Sequence, residues 1–267
     1  MKITILTLFP EIFLPVLNSS ITGRAQKKGL VKFEIINIRD FAEGKRKMVD
    51  DKPYGGGVGM VLKADVLAKT LKSKGAKLNH LPGRKSVLMS ASGKPYKQED
   101  ALRFSKLKHL IIICGHYEGV DERFIQKYVD LEISIGDYVL TGGEIPAMVI
   151  TDSIIRLIPG VLSKEEATSK ESFSDIRHPT SDIRLLEYPQ YTRPDEFEGI
   201  KVPEVLLSGD HKKIDQWRKH QALEKTKKVR PDLLKRVHFP RSTEVEIDSG
   251  EGRYCGAFDN FVRTCIS

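Results

Sequence analysis

Two short glycine-bearing turns offer a binding surface made of main chain. Gly115–Gly119 lies in C-G-H-Y-E-G-V-D-E-R, residues 114–123, and Gly136–Gly143 lies in I-S-I-G-D-Y-V-L-T-G-G-E, residues 133–144. Each follows a short apolar run, Leu110–Cys114 and Leu131–Ile135. Glycine permits positive φ and close approach of backbone to a ligand. Two such turns at the ends of neighbouring strands would present N–H and C=O groups, which suit the edges of a purine. Ligand-free tight turns of an α/β domain account for the same glycines equally well, since glycine is common punctuation.

Other residues carry weaker signals. His116 has the titration range of a general base, but in a pocket read mainly by backbone it is assigned to orienting a turn. The run P-Y-G-G-G-V-G-M, residues 53–60, has no G-K-S/T to close a phosphate loop and lacks G-x-G-x-x-G spacing. Entering a helix at Lys63–Ser73, it still offers N–H groups to an anion. Lys45, Arg46 and Lys47 form a basic cluster that reads either as a solvated loop or as a phosphate contact.

Alternating apolar runs supply the frame for these groups. Strands are expected at 2–8, Phe33–Ile38, Ser86–Ser90, His109–Cys114 and Leu131–Ile135. Helices are expected from Pro10 to about Lys28, then at Lys63–Ser73, Lys97–Lys106, Val120–Val129 and Glu144–Leu157. Strands alternating with helices imply an α/β fold with a mostly parallel sheet covered on both faces. After Pro159-Gly160, residues 161–200 carry little apolar periodicity, and Asp-Ile-Arg occurs twice, at 175–177 and 182–184. This stretch reads as a linker between a first domain, 1–160, and a small helical C-terminal domain, 201–267. In the latter, Lys212, Lys213, Lys219, Lys225, Lys227 and Lys228 give a basic helical module, with a further helix expected at Arg230–Arg236. No period is visible from His238 onward.

Composition narrows the function classes. With 40% hydrophobic residues the chain of 267 can fill a core, and 44 Lys+Arg against 36 Asp+Glu give a net charge of +8. That balance favours a polyanionic partner. The 3 cysteines, Cys114, Cys255 and Cys265, form no C-x-x-C pair. They argue against a disulfide framework or a zinc site and for a reducing cytoplasm. Pro10 and Glu11 cut short the apolar start, which reads as a strand and not a signal peptide. No run approaches the roughly 20 apolar residues of a membrane span.

Seven motifs in one order carry a resemblance. They are T-L-F-P-E-I-F, D-K-P-Y-G-G-G-V-G-M-V, C-G-H-Y-E-G-V-D-E-R, I-S-I-G-D-Y-V-L-T-G-G-E, R-L-I-P-G-V, Y-T-R-P and V-P-E-V-L-L-S-G-D-H. From Met1 to about residue 236 the chain resembles the bacterial tRNA (guanine-N1)-methyltransferases, the TrmD family of the knotted SPOUT class. The resemblance implies a deep trefoil knot and a homodimer with a shared active site. It implies S-adenosylmethionine as methyl donor and 1-methylguanosine at position 37 of tRNA as product. Matching cofactor positions are Ser90 and Gly93, then Gly115, Tyr117, Glu118 and Gly119. Ser134, Ile135, Gly136, Tyr138, Leu140, Gly142 and Gly143 complete the set. Asp137, read from its own place in the motif, is a lesser candidate for facing the sulfonium or positioning a neighbour. A magnesium-assisted reaction is implied too, although the sequence holds no visible metal-ligand cluster.

The implied chemistry sets two demands. Guanine N1 carries a proton that a base must remove, and negative charge then builds on O6. By the resemblance Arg156 is the cation at O6 and Glu171 the base. Glu187, with Tyr117, binds the guanine. The family pattern has aspartate at the positions of Glu171 and Glu187, and its stretch between Phe173 and Leu185 is shorter. These departures leave two alternatives beside the first reading: a knotted methyltransferase for another RNA, and a catalytically weak RNA- or cofactor-binding protein.

Overall fold

A computed structural model describes residues 1–73, 82–163, 171–173 and 184–234. The chain divides into two compact units, Met1–Glu165 and Glu166–Ser267. The first contains, in chain order, β1 (Lys2–Thr7), α1 (Phe13–Leu17), α2 (Ser20–Lys27), β2 (Lys32–Asn37), β3 (Asp50–Asp51), β4 (Val61–Leu62) and α3 (Ala64–Ser73). It continues with β5 (Arg84–Pro95), α4 (Gln98–Ser105), β6 (His109–Cys114), α5 (Glu122–Tyr128), β7 (Leu131–Ser134) and α6 (Glu144–Ile155).

Five strands make one parallel sheet in the order β2-β1-β6-β5-β7. Its strands are apolar on both faces because helices cover both. The alternation shows this directly. Leu110, Ile112 and Cys114 of β6 pack with Phe13, Leu17, Phe104 and Ile150, from α1, α4 and α6. Ile111 and Ile113 point the other way, into Leu67, Leu71 and Phe124 of α3 and α5.

Two expected elements differ. The single helix from Pro10 to about Lys28 is instead a 3-10 turn, Pro10–Ile12, followed by α1 and α2. Ser19 and Thr22 hydroxyls both donate to the Val16 carbonyl, at 2.9 and 3.0 Å, and Ser20 takes φ 45°. Side-chain hydroxyls thus compete for carbonyls that a continuous helix would use. β5 runs beyond Ser90 to Pro95. After a register shift between Met89 and Lys94, it rejoins β7 opposite Ile133 and Ser134.

The second unit has a ribbon, β8 (Glu196–Phe197) with β9 (Ile200–Lys201), then α7 (Glu204–Leu207) and α8 (His211–Val229). Asp210 caps α8 by accepting from the Lys212 and Lys213 N–H groups at 3.1 and 3.2 Å. Leu185 packs on buried Leu223 and Leu234, and the Leu186 N–H donates to Thr226 Oγ1 at 2.9 Å. The expected helix at Arg230–Arg236 is a 3-10 turn, Pro231–Leu234, as far as the described residues extend. Residues 175–177, 182–183 and 238–267, read above from sequence, lie outside the described residues.

Candidate functional site

The regular pairing of β5, β6 and β7 ends together, with Met89 of β5 opposite Cys114 of β6 and Ile133 of β7. Three segments beyond that level, the irregular stretch of β5 after Met89 and the turns that follow β6 and β7, surround a cavity of about 510 Å³. Ser90 lines it from the first segment, and Gly115, Tyr117, Glu118 and Gly119 from the second. Ser134, Ile135, Gly136, Tyr138, Leu140, Gly142 and Gly143 line it from the third. Gly93 does not face the cavity. It lies against the β7 backbone, where an added Cβ would stand 2.6 Å from the Glu132 carbonyl carbon.

The second and third turns are laced together by main chain. Gly143 N–H donates to the Gly115 carbonyl at 2.7 Å, and His116 bridges to Gly142. A Cβ on Gly143 would come within 2.7 Å of Gly115 N and 2.8 Å of Cys114 Cα. Only glycine allows that approach. The third turn is pinned by Ser134, whose hydroxyl donates to the Gly136 carbonyl at 2.9 Å and accepts from its N–H at 3.2 Å. Tyr117 takes φ 60°, a left-handed conformation that costs a non-glycine residue about 1–3 kcal/mol. Its ring meets His116 edge-on at 4.7 Å, and His116 also touches Phe9 at 5.3 Å. The His116 Nδ1 is buried and has no hydrogen-bond partner among the described residues.

Beneath the turns sits a buried carboxylate. Glu144 opens α6, is 5% exposed, and accepts from the Thr7 hydroxyl at 2.8 Å. Burial pushes the Cys114 thiol well above its ordinary range, and the Glu144 charge adds to the effect. Cys114 is therefore a protonated core residue and not a nucleophile.

The other candidates stand elsewhere. Arg156 is the C-cap of α6, at the far end of the helix from Gly143. Asp137 is exposed and outside the cavity lining. Glu171 and Glu187 belong to the second unit, where their segments lie together. The Phe173 N–H donates to the Leu185 carbonyl at 3.1 Å, and the Glu187 N–H to Ser172 Oγ at 3.1 Å. Sequence reasoning missed Ala91, Ser92, Thr141 and Pro146, which also line the cavity. Thr141 and Pro146 were inside or beside a motif already singled out. Ala91 and Ser92 depend on the register shift in β5, which leaves no mark in the sequence.

The cavity fits a nucleoside-sized donor such as S-adenosylmethionine. Its volume lies in the roughly 300–1,000 Å³ range of ligand sites, and its glycine wall leaves peptide groups at the surface. A protein-built metal site is not offered: among the described residues no three His, Cys, Asp or Glu side chains cluster. Nor is any helix among them long and apolar enough to cross a membrane.

Comparison with known proteins accords with this geometry. The family model for tRNA (Guanine-1)-methyltransferase TrmD matches residues 1–236. A tRNA (guanine-N(1)-)-methyltransferase of Carboxydothermus hydrogenoformans is 54% identical over 237 residues, covering 88% of each chain. The protein of that name in Staphylococcus carnosus is 52% identical over 246 residues, 92% of this chain and 95% of its own. The one in Ruminiclostridium cellulolyticum is 52% identical over 237 residues, 89% and 97%. With matches this extensive, the chain belongs to the tRNA (guanine-1)-methyltransferase TrmD family.

Proposed function

We propose that this protein methylates N1 of guanine 37 of tRNA, beside the anticodon, as a cytoplasmic homodimer whose sites are shared between two copies. The coarser statement follows from family membership: the chain is an S-adenosylmethionine-dependent tRNA (guanine-N1)-methyltransferase. The observation that carries the reading is the main-chain cavity where the regular pairing of β5, β6 and β7 ends.

S-adenosylmethionine supplies, when bound, an electrophilic sulfonium methyl group. The turns 115–119 and 135–143 would grip its adenine edges by N–H and C=O groups and hold the methyl in line with the base. In this proposal the crossing of 90–95 with β7, and the lacing of Gly143 to Gly115, belong to a trefoil knot. Glu171 takes the N1 proton, and Arg156 stabilises the charge that grows on O6. Glu187 and Tyr117 hold the guanine. Residues 161–200 serve as linker and active-site loop, and 201–267 as the tRNA-binding domain. Exposed lysines along α8 suit phosphates of the RNA. Magnesium dependence is part of the proposal without a step assigned to the ion.

Helix α6 supports the dimer. Its outer side exposes Ile145 and Val149, at 54% and 45%. Ile12, Leu14 and Val16 add exposed apolar groups around the neighbouring α1. A face of this kind suits a self-complementary contact between two copies.

The test is transfer of label from radioactive S-adenosylmethionine to tRNA transcripts with G or A at position 37, with and without magnesium. Label on the G37 transcript alone is expected. Equal labelling of both transcripts would contradict the position.

A further inference from the structure

The loop Pro53–Met60 has no task in the methyl-transfer chemistry. It is the tip of a hairpin whose stem pairs Asp50 with Leu62 and Asp51 with Val61. Its returning end is tied to the cavity wall. The Glu118 N–H donates to the Met60 carbonyl at 3.0 Å, and the Leu62 N–H to the Gly119 carbonyl at 2.9 Å. Gly59 approaches the Glu118 side chain so closely that a Cβ there would overlap it. Glu118 and Gly119 both line the cavity, so the hairpin springs from the rim of the methyl-donor site.

The tip itself is held away from the protein. Tyr54 is 97% exposed and has no ring contact or hydrogen bond among the described residues. Gly55, Gly56 and Gly57 follow it with φ of 86°, 82° and 118°, and a Cβ on any of them would meet nothing within 4 Å. Crowding does not call for these glycines; a left-handed backbone does. The result is a bare main-chain loop that displays one aromatic ring.

The reaction creates a use for such a ring. N1 lies on the Watson–Crick edge of guanine, so the target base must be unpaired and drawn out of its stack. Each neighbouring base then loses a stacking partner. An aromatic side chain can replace that partner whatever the base, because every base has a π-face.

We propose that the 53–60 hairpin tip is a base platform. Tyr54 stacks on the unpaired tRNA nucleotide next to the methylated guanine and so positions that guanine over the methyl donor. The proposal rests on the guanine-N1 methyltransfer reading.

Steady-state kinetics with full-length tRNA test it, together with calorimetry of S-adenosylmethionine binding and sedimentation. A second readout uses tRNA carrying 2-aminopurine on one side, then the other, of the target guanine. Tyr54→Ala should raise the tRNA KM roughly 5- to 140-fold, the range expected for one lost base–aromatic stack. Cofactor affinity and oligomeric state should not change. Tyr54→Phe should behave like the parent. Fluorescence quenching of 2-aminopurine on one side should occur with the parent and Tyr54→Phe and be lost with Tyr54→Ala. An unchanged KM for Tyr54→Ala overturns the proposal, as does equal loss in Tyr54→Phe. So does weakened cofactor binding or an altered oligomeric state, either of which would place the ring in another contact. Label transfer by the parent tests the underlying methyltransfer reading separately.

Discussion

Gly143 and Arg156 stand at opposite ends of one helix, the first as N-cap of α6 and the second as its C-cap. At 1.5 Å per residue they are about 20 Å apart along the axis. Gly143 is part of the cavity wall, whereas Arg156 is not. That span exceeds the reach of an arginine side chain. Pro146, the cavity residue nearest to it on the helix, still leaves about 15 Å of axis to Arg156, so the proposed shared site draws this cation from a partner. A partner whose α6 runs the opposite way would bring its Arg156 end to the cavity.

The apolar outer side of α6 should then be essential. Val149→Glu places a charge on a residue that is 45% exposed in the single chain. Sedimentation should show a shift from dimer to monomer, with turnover lost and the fold retained by circular dichroism. A dimer that persists with full activity would remove this face from the interface.

Glu171→Gln should separate binding from chemistry. Loss of a general base typically costs about 10²–10⁴-fold in rate. Single-turnover methyl transfer should fall by that order, while calorimetry gives parent-like affinity for S-adenosylmethionine. Turnover that survives unchanged would clear Glu171 of the role.

Gly143→Ala tests the lacing of the two turns. The new methyl group has no room beside Gly115 N and Cys114 Cα. Overpacking of this kind costs about 1–3 kcal/mol. A lower melting temperature and weaker cofactor binding are expected together. A variant with parent-like values for both would show that the turns are not rigidly joined.

His109 makes stability depend on pH. Burial, helped by Arg84 and Lys2 and opposed by Glu34, lowers its pKa from 6.5 to about 4. The Thr4 hydroxyl lies 2.9 Å from its Nε2. The folded chain keeps the ring neutral, but the unfolded chain protonates it near 6.5. The contribution is whole above that value and is lost as pH falls toward 4. The urea midpoint should drop between about pH 7.5 and pH 5, and His109→Gln should flatten the drop. An equal slope in both proteins would assign the effect to other groups.

The sheet was legible because a strand buried on both faces needs a continuous apolar run. His109–Cys114 was read with its observed ends. The cavity turns were legible for a related reason: glycine at Gly115 and Gly143 marks close approaches to backbone that a side chain would block. What escaped depended on partners distant in sequence. The break after Leu17 comes from hydroxyls reaching back to Val16, and the extension of β5 to Pro95 exists only because β7 lies beside it. The separation of Arg156 from the cavity was implicit in the length of α6, but only the placement of Gly143 in the wall gave that length a meaning.

Mixed dimers test the shared site most directly. One chain carries Arg156→Ala with an intact cavity; the other carries Gly143→Val, which blocks the cavity and leaves Arg156 intact. Either homodimer should be inactive. If each site joins one chain's cavity to the partner's Arg156, the mixed dimer regains one complete site and about half the parent rate. If Arg156 serves its own chain's cavity, the mixed dimer stays as inactive as its parents, and the account is wrong.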